Sequence, residues 1–221
     1  FSFGREFGNY GALGVGYRRY TGHAEVLVGD PGLEDYDFEI GAAHVEAAID
    51  RLDSFYFPRE GYIVRSDYLF SRESLGADVD FDQFDLDALY AHRFGKHSVQ
   101  LGGRYHVTVS GMAPLESAFR VGGYSRLVGY QPNELVGQNY AMLIGGYSYE
   151  LARILRMPTL LGGTLEYGNV WQDRSDMAFD EGDLNGSVYI GLDSWVGPVL
   201  FGIGAREGGF HNVFLELGHK F

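Results

Sequence analysis

The 221 residues predict an all-β fold: a transmembrane, antiparallel up-and-down β-barrel of about twelve strands. Three observations lead there. Apolar and polar residues alternate over long stretches, the links between those stretches are short and long in turn, and tyrosine and phenylalanine (16 of each) gather near the stretch ends. Alternation places one series of side chains in lipid and the other in a polar lumen. A tilted strand of about 9–11 residues suffices to cross the hydrocarbon.

Taken in order, the chain starts with a short strand at 1–5, then strands at 13–17 and 24–28 joined by a tight turn at 20–22. The segment 42–50, AAHVEAAID, contains helix-favouring Ala and Glu. It also alternates, with Ala43, Val45, Ala47 and Ile49 on one side and His44, Glu46 and Asp50 on the other, so it reads as strand. Strands at 62–70 and 84–90 follow. The clearest alternation is at 98–110, where Val99, Leu101, Tyr105, Val107 and Val109 oppose Gln100, Arg104, His106 and Thr108. Further strands read at 141–151, 161–167, 188–192, 201–205 and 213–221.

Tight turns are expected at 57–61, 95–97, 153–158 and 195–198, and longer, more acidic links at 29–37, 72–80, 111–137 and 172–183. Short turns on one side and long loops on the other are the asymmetry of an outer-membrane barrel. Tyr17, Tyr20, Phe55, Tyr56, Phe57, Tyr62, Tyr147, Tyr149, Trp171 and Trp195 sit near strand ends, where interfacial girdles form. No linker divides the chain, so residues 1–221 read as a single barrel domain, a mature protein or a fragment cut away at its beginning.

Composition narrows the function classes. A net charge of −13 excludes the basic footprint of nucleic-acid binding. No cysteine is present for disulfides or thiol catalysis. No run of 18 apolar residues exists for a membrane helix. The mean hydropathy of −0.14 is what alternating lipid and lumen faces average to.

One stretch fits neither strand nor solvated loop. Residues 119–137, FRVGGYSRLVGYQPNELVG, hold four glycines among packed aromatics, and we expect them to fold back into the lumen. No catalytic, metal or cofactor site emerges. No Gly-x-Ser-x-Gly occurs, since the run from Gly146 ends in Glu150. His44, His92, His97, His106, His211 and His219 are scattered. The acidic run 78–87 lacks a glycine turn to wrap calcium, and reads as a hydrated rim or lumen wall.

These residues carry a resemblance. REFGNYGALGVGYRRYTGHAEVLVGDP, the FPREG turn of LDSFYFPREGY, GGYSRLVGYQPNELVG, LEYGNVW and the terminal FLELGHKF are similar to the barrel of the bacterial surface-antigen superfamily of assembly factors and secretion translocases. Within it, they resemble the patatin-like outer-membrane phospholipases, which are type V autotransporters. The resemblance implies a sixteen-stranded barrel, more than the count here. It implies an outer-membrane barrel that anchors and translocates an N-terminal patatin-like lipase passenger and is itself no enzyme. An outer-membrane channel, an assembly-type translocase or a barrel-embedded hydrolase stand as alternatives. Implied partners are outer-membrane lipid, the barrel assembly machinery and the passenger; self-association into a homo-oligomer stays open. Val213, Leu215, Leu217 and Phe221 resemble the family's C-terminal insertion signal. The family's inward loop carries an Arg-Gly-aromatic tip whose Arg pairs with an acidic residue on the wall. Here the tip reads Val128-Gly129-Tyr130, and Glu166, in Glu166-Tyr167-Gly168, is the wall partner. With Val128 in the arginine's place, Arg126 is expected to form the ion pair with Glu166.

Overall fold

The computed structural model describes residues 1–24, 35–54, 56–154, 157–194 and 197–218. Eleven strands form one antiparallel sheet in chain order: β1 (Ser2–Glu6), β2 (Ala12–Ala24), β3 (Tyr36–Asp50), β4 (Gly61–Ser71), β5 (Phe81–Phe94), β6 (His97–Gly111), β9 (Asn139–Ile154), β10 (Met157–Trp171), β11 (Asp183–Ser194), β12 (Gly197–Arg206) and β13 (His211–Leu217). The remaining two, β7 (Phe119–Val121) and β8 (Leu135–Gly137), pair with each other inside the long loop between β6 and β9. β1 and β13 are the ends of the sheet.

Pairing in register fixes which residues share a face. Gln100, Gly146 and Thr164 lie on one row, as do Glu166, Asn185 and Arg206. One residue away in each strand lies the opposite series, with Leu101 67%, Leu165 65%, Val188 64% and Val213 65% exposed. Large side chains left this bare over so many strands would aggregate in water; in a membrane they are the lipid face. Leu215 and Leu217 share it, while Phe221 lies outside the described residues.

The sheet is curled. Phe57, in the link between β3 and β4, packs against Leu160, Tyr189 and Leu200 on β10, β11 and β12. A flat sheet would hold these strands far apart at about 4.8 Å per strand. The polar face is therefore the inside.

Several expectations need correction. β2 runs unbroken through 20–22 and pairs with β3 as far as Ala24 opposite Tyr36, so no turn lies there. Gly22 continues the strand because the Phe38 ring covers it, with Cε1 2.7 Å from where a Cβ would stand. The expected strand 24–28 otherwise falls outside the described residues, as do Phe55 and Trp195. The supposed tight turn at 57–61 belongs to a ten-residue segment, 51–60, that enters the lumen, so Phe57 is core and not girdle. Gln100 Nε2 donates to Pro58 O at 2.6 Å, and Arg59 reaches Glu150 at 3.0 Å. Residues 119–137 are not strand-free, since their ends form the β7–β8 ribbon.

Candidate functional site

The inward loop leaves β6 at Gly111 and returns at Asn139, opposite Val107. Between them the wall is continuous, so the loop is an insertion hung on a paired hairpin. Its apolar side chains face the wall: Val121, Leu127 and Tyr130 form a buried cluster with Tyr140 and Met142 of β9, joined by Phe119, Leu135, Ile144 and Val170. Ser125, Leu127 and Asn133 have φ of 56°, 65° and 62°, and for Leu127 this left-handed backbone costs about 1–2 kcal/mol. Complete burial of Leu127 offsets that cost.

The tip is held by four successive strands. Val128 N–H donates to Glu166 Oε2 of β10 at 2.8 Å, and Gly129 N–H to Asn185 Oδ1 of β11 at 3.1 Å. The Tyr130 hydroxyl donates to Asp183, also on β11. Asn212 Nδ2 of β13 donates to Val128 O at 2.8 Å and Tyr130 O at 3.2 Å. From β12, the Arg206 guanidinium lies 3.9 Å from the Tyr130 ring centre and 4.2 Å from that of Phe210, a stacked cation–π pair. A Cβ on Gly129 would stand 2.5 Å from Arg206 Cβ and 2.6 Å from Asn185 Oδ1, so only glycine lets the backbone come this close.

Glu166 is fully buried and spends its second oxygen on the Thr164 hydroxyl at 3.0 Å; Thr164 in turn lies 2.8 Å from Ser187 Oγ. Gly168 faces the same way two residues on, paired with Asp183 and Met142. The expected Arg126–Glu166 ion pair is not formed among the described residues. Glu166 takes the backbone N–H of Val128 instead, and Arg126 Nε is buried with no hydrogen-bond partner. The tip is recognised by its main chain, which does not depend on which side chain stands at 128.

A second contact closes the other end. Tyr124 from the loop packs edge-on against Tyr189 at 5.5 Å and beside Phe214 at 5.3 Å, on the cluster that Phe57 enters from 51–60. Burial pushes the Tyr124 phenol well above its ordinary value, so it stays neutral while hydrogen-bonded to Tyr189. The two inward segments thus meet on one aromatic layer. Sequence reading missed Asn185, Arg206 and Asn212, although each is a polar residue in the inward phase of its strand.

Elsewhere on the inner face, His44, Glu46 and Asp67 bring one ligand atom each within 4.8 Å of one another. His44 Nδ1 is engaged by Asp67 at 3.0 Å. In the acidic run 78–87, Asp82 pairs with Arg72 at 2.5 Å while Asp87 pairs with His106 at 3.0 Å.

The fold is that of a known group. No curated protein matches the chain by sequence. Among solved structures, it resembles BamA from Haemophilus ducreyi, crystallised without POTRA domains 1–3, with a TM-score of 0.76 at 12% identity. The match covers 97% of this chain and 52% of that one, so this chain spans about half its relative's length. The Omp85 superfamily domain matches residues 2–206. A curled, lipid-faced sheet in the bacterial outer membrane, with an inward loop seated on its wall, belongs to the Omp85 superfamily.

Proposed function

We propose that this chain is a plugged outer-membrane barrel that anchors an N-terminal passenger and assists its translocation, rather than an open pore. The supporting observation is the doubly occupied lumen. The loop tip is clamped by Glu166, Asn185, Arg206 and Asn212, and Phe57 fills the layer beneath it. A wall committed to holding its own chain leaves no straight aqueous path beside β9–β13. Polypeptide would then be handled along the sheet, with the barrel assembly machinery and membrane lipid as partners.

The finer reading is a patatin-like lipase passenger, supported by the sequence features around residues 5–31 and by valine at 128. An assembly-type translocase is the other reading, supported by the likeness to BamA.

Planar-bilayer recording tests the plug. The intact chain is expected to pass little steady current, and deletion of 119–137 to raise it strongly. A large, stable conductance in the intact chain would sink the proposal. Phospholipase activity in membranes carrying the full-length protein, and none with the barrel alone, separates the lipase-passenger reading from the assembly one.

A further inference from the structure

Strands β3 and β4 bring three metal-ligating side chains together on the lumen side. His44 and Glu46 are two residues apart on β3, so the strand period puts both on one face, with backbones about 6.6 Å apart. Asp67 of β4 stands directly opposite Glu46 in the register. One donor atom from each of the three lies within 4.8 Å of the other two. His44 is 8% exposed, and its Nδ1 lies 3.0 Å from Asp67 Oδ2. That separation is close to the edge of about 3.3 Å that two bonds of about 2.0–2.1 Å make at a tetrahedral zinc ion. Glu46 is exposed, and its flexible stem can close the remaining gap.

β2 makes room for the group. Gly14 and Gly16 lie opposite Glu46 and His44. A Cβ on Gly14 would stand 2.6 Å from Glu46 Oε1, and one on Gly16 would fall on the His44 ring. Neither glycine has the positive φ that would itself call for glycine, so it is the space above them that excludes a side chain. This space opens into a cavity of about 550 Å³ lined by Arg18, His44 and Glu46, wide enough for an ion and its water.

Charge favours a cation there. Glu46, Asp67 and Asp85 form a row of carboxylates on adjacent strands, and Asp85 Oδ1 is buried without a hydrogen-bond partner. Arg18 borders the cavity and offsets part of that charge.

We infer that His44, Glu46 and Asp67 bind one Zn²⁺ ion on the lumen wall, with water in the fourth position. The imidazole nitrogen selects zinc-class ions over Mg²⁺ and Ca²⁺, which take oxygen ligands. Bound there, the ion ties β3 to β4 and relieves the repulsion between the facing carboxylates. The inference is independent of the plug and of any passenger.

The full chain, prepared without a histidine tag, is reconstituted in detergent, stripped of metal with chelator and titrated with Co²⁺, whose visible absorption reports its ligands. One saturable ion per chain is expected, displaced by Zn²⁺ and not by a large excess of Mg²⁺. Binding is expected to weaken about tenfold or more in Glu46→Gln and in Asp67→Asn, neither of which disturbs an apolar core. Zn²⁺ is expected to raise the urea midpoint of the parent and leave that of His44→Ala unchanged, whereas His92→Ala, at an outward position of β5, responds as the parent does. Equal binding by the parent and the three site variants, displacement of Co²⁺ by Mg²⁺, or no saturable site overturns the inference.

Discussion

The inner face has two halves with opposite uses of polarity. Along β10–β13, polar groups are spent on the loop: Glu166, Asn185 and Asn212 each bond its main chain, and Arg206 stacks on Tyr130. Along β3–β5 the loop is held more sparsely, by Gln83 Nε2 donating to Ser117 O at 2.9 Å and the Tyr36 hydroxyl to Glu116 at 3.2 Å. Glu46, Asp67 and Asp85 stand directly opposite one another on adjacent strands, a row of like charges that is unfavourable. Asp85 Oδ1 has no hydrogen-bond partner, and His106 lies 3.8 Å from it while bonding Asp87 at 3.0 Å. A cavity of about 580 Å³ adjoins this row, lined by Glu46, Arg65, Asp67, Asp85 and Asp87. One half is a seat, the other a wet acidic wall. The same lumen thus stores stability on one side and gives some up on the other.

Four substitutions break or sharpen that contrast, each read from the midpoint of urea unfolding and from heat-dependent gel mobility. Phe57→Ala opens a hole in the aromatic layer and is expected to cost about 3 kcal/mol or more. No shift there would mean that the lower segment is not part of the seat. Glu166→Leu strands the Val128 N–H and leaves the Thr164 hydroxyl only Ser187 as partner, at a cost of about 2 kcal/mol, and should raise conductance by loosening the tip. Tyr130→Phe removes only the bond to Asp183, a loss of about 1 kcal/mol with the stacking kept. Across the lumen, Asp85→Asn is expected to leave stability unchanged or raise it by about 0.5 kcal/mol, because it relieves like charges. A large loss at Asp85 would erase the distinction between the halves.

How much of this could be read beforehand follows the same division. Strands 98–110 and 141–151 were legible because their two faces see lipid and lumen along their whole length, which writes a period of two. β2 was split in error, since glycine and threonine at 21–22 look like a turn when the covering Phe38 ring is invisible. The inward loop was legible from its composition, and Glu166 was identified as its wall partner. Its actual contact, a backbone N–H, leaves no mark on the residue type at 128, so the search for a substitute arginine led to Arg126 instead. Segment 51–60 was opaque for a related reason: a short FPREG turn and an inward plug share a local sequence, and the difference lies in Leu160, Tyr189 and Leu200 more than a hundred residues later.

That separation has a consequence for assembly. Both inward segments precede their seats in the chain: Phe57 comes before β10–β12, and the 128–130 tip before Asn212 on β13. β6 and β9 can zip together without the loop, since their register closes beneath it. The wall can therefore grow strand by strand while both plugs wait, and the tip gains its bonds to Asn212 only when β13 arrives. Seating of the loop then reports that β10–β13 are in place.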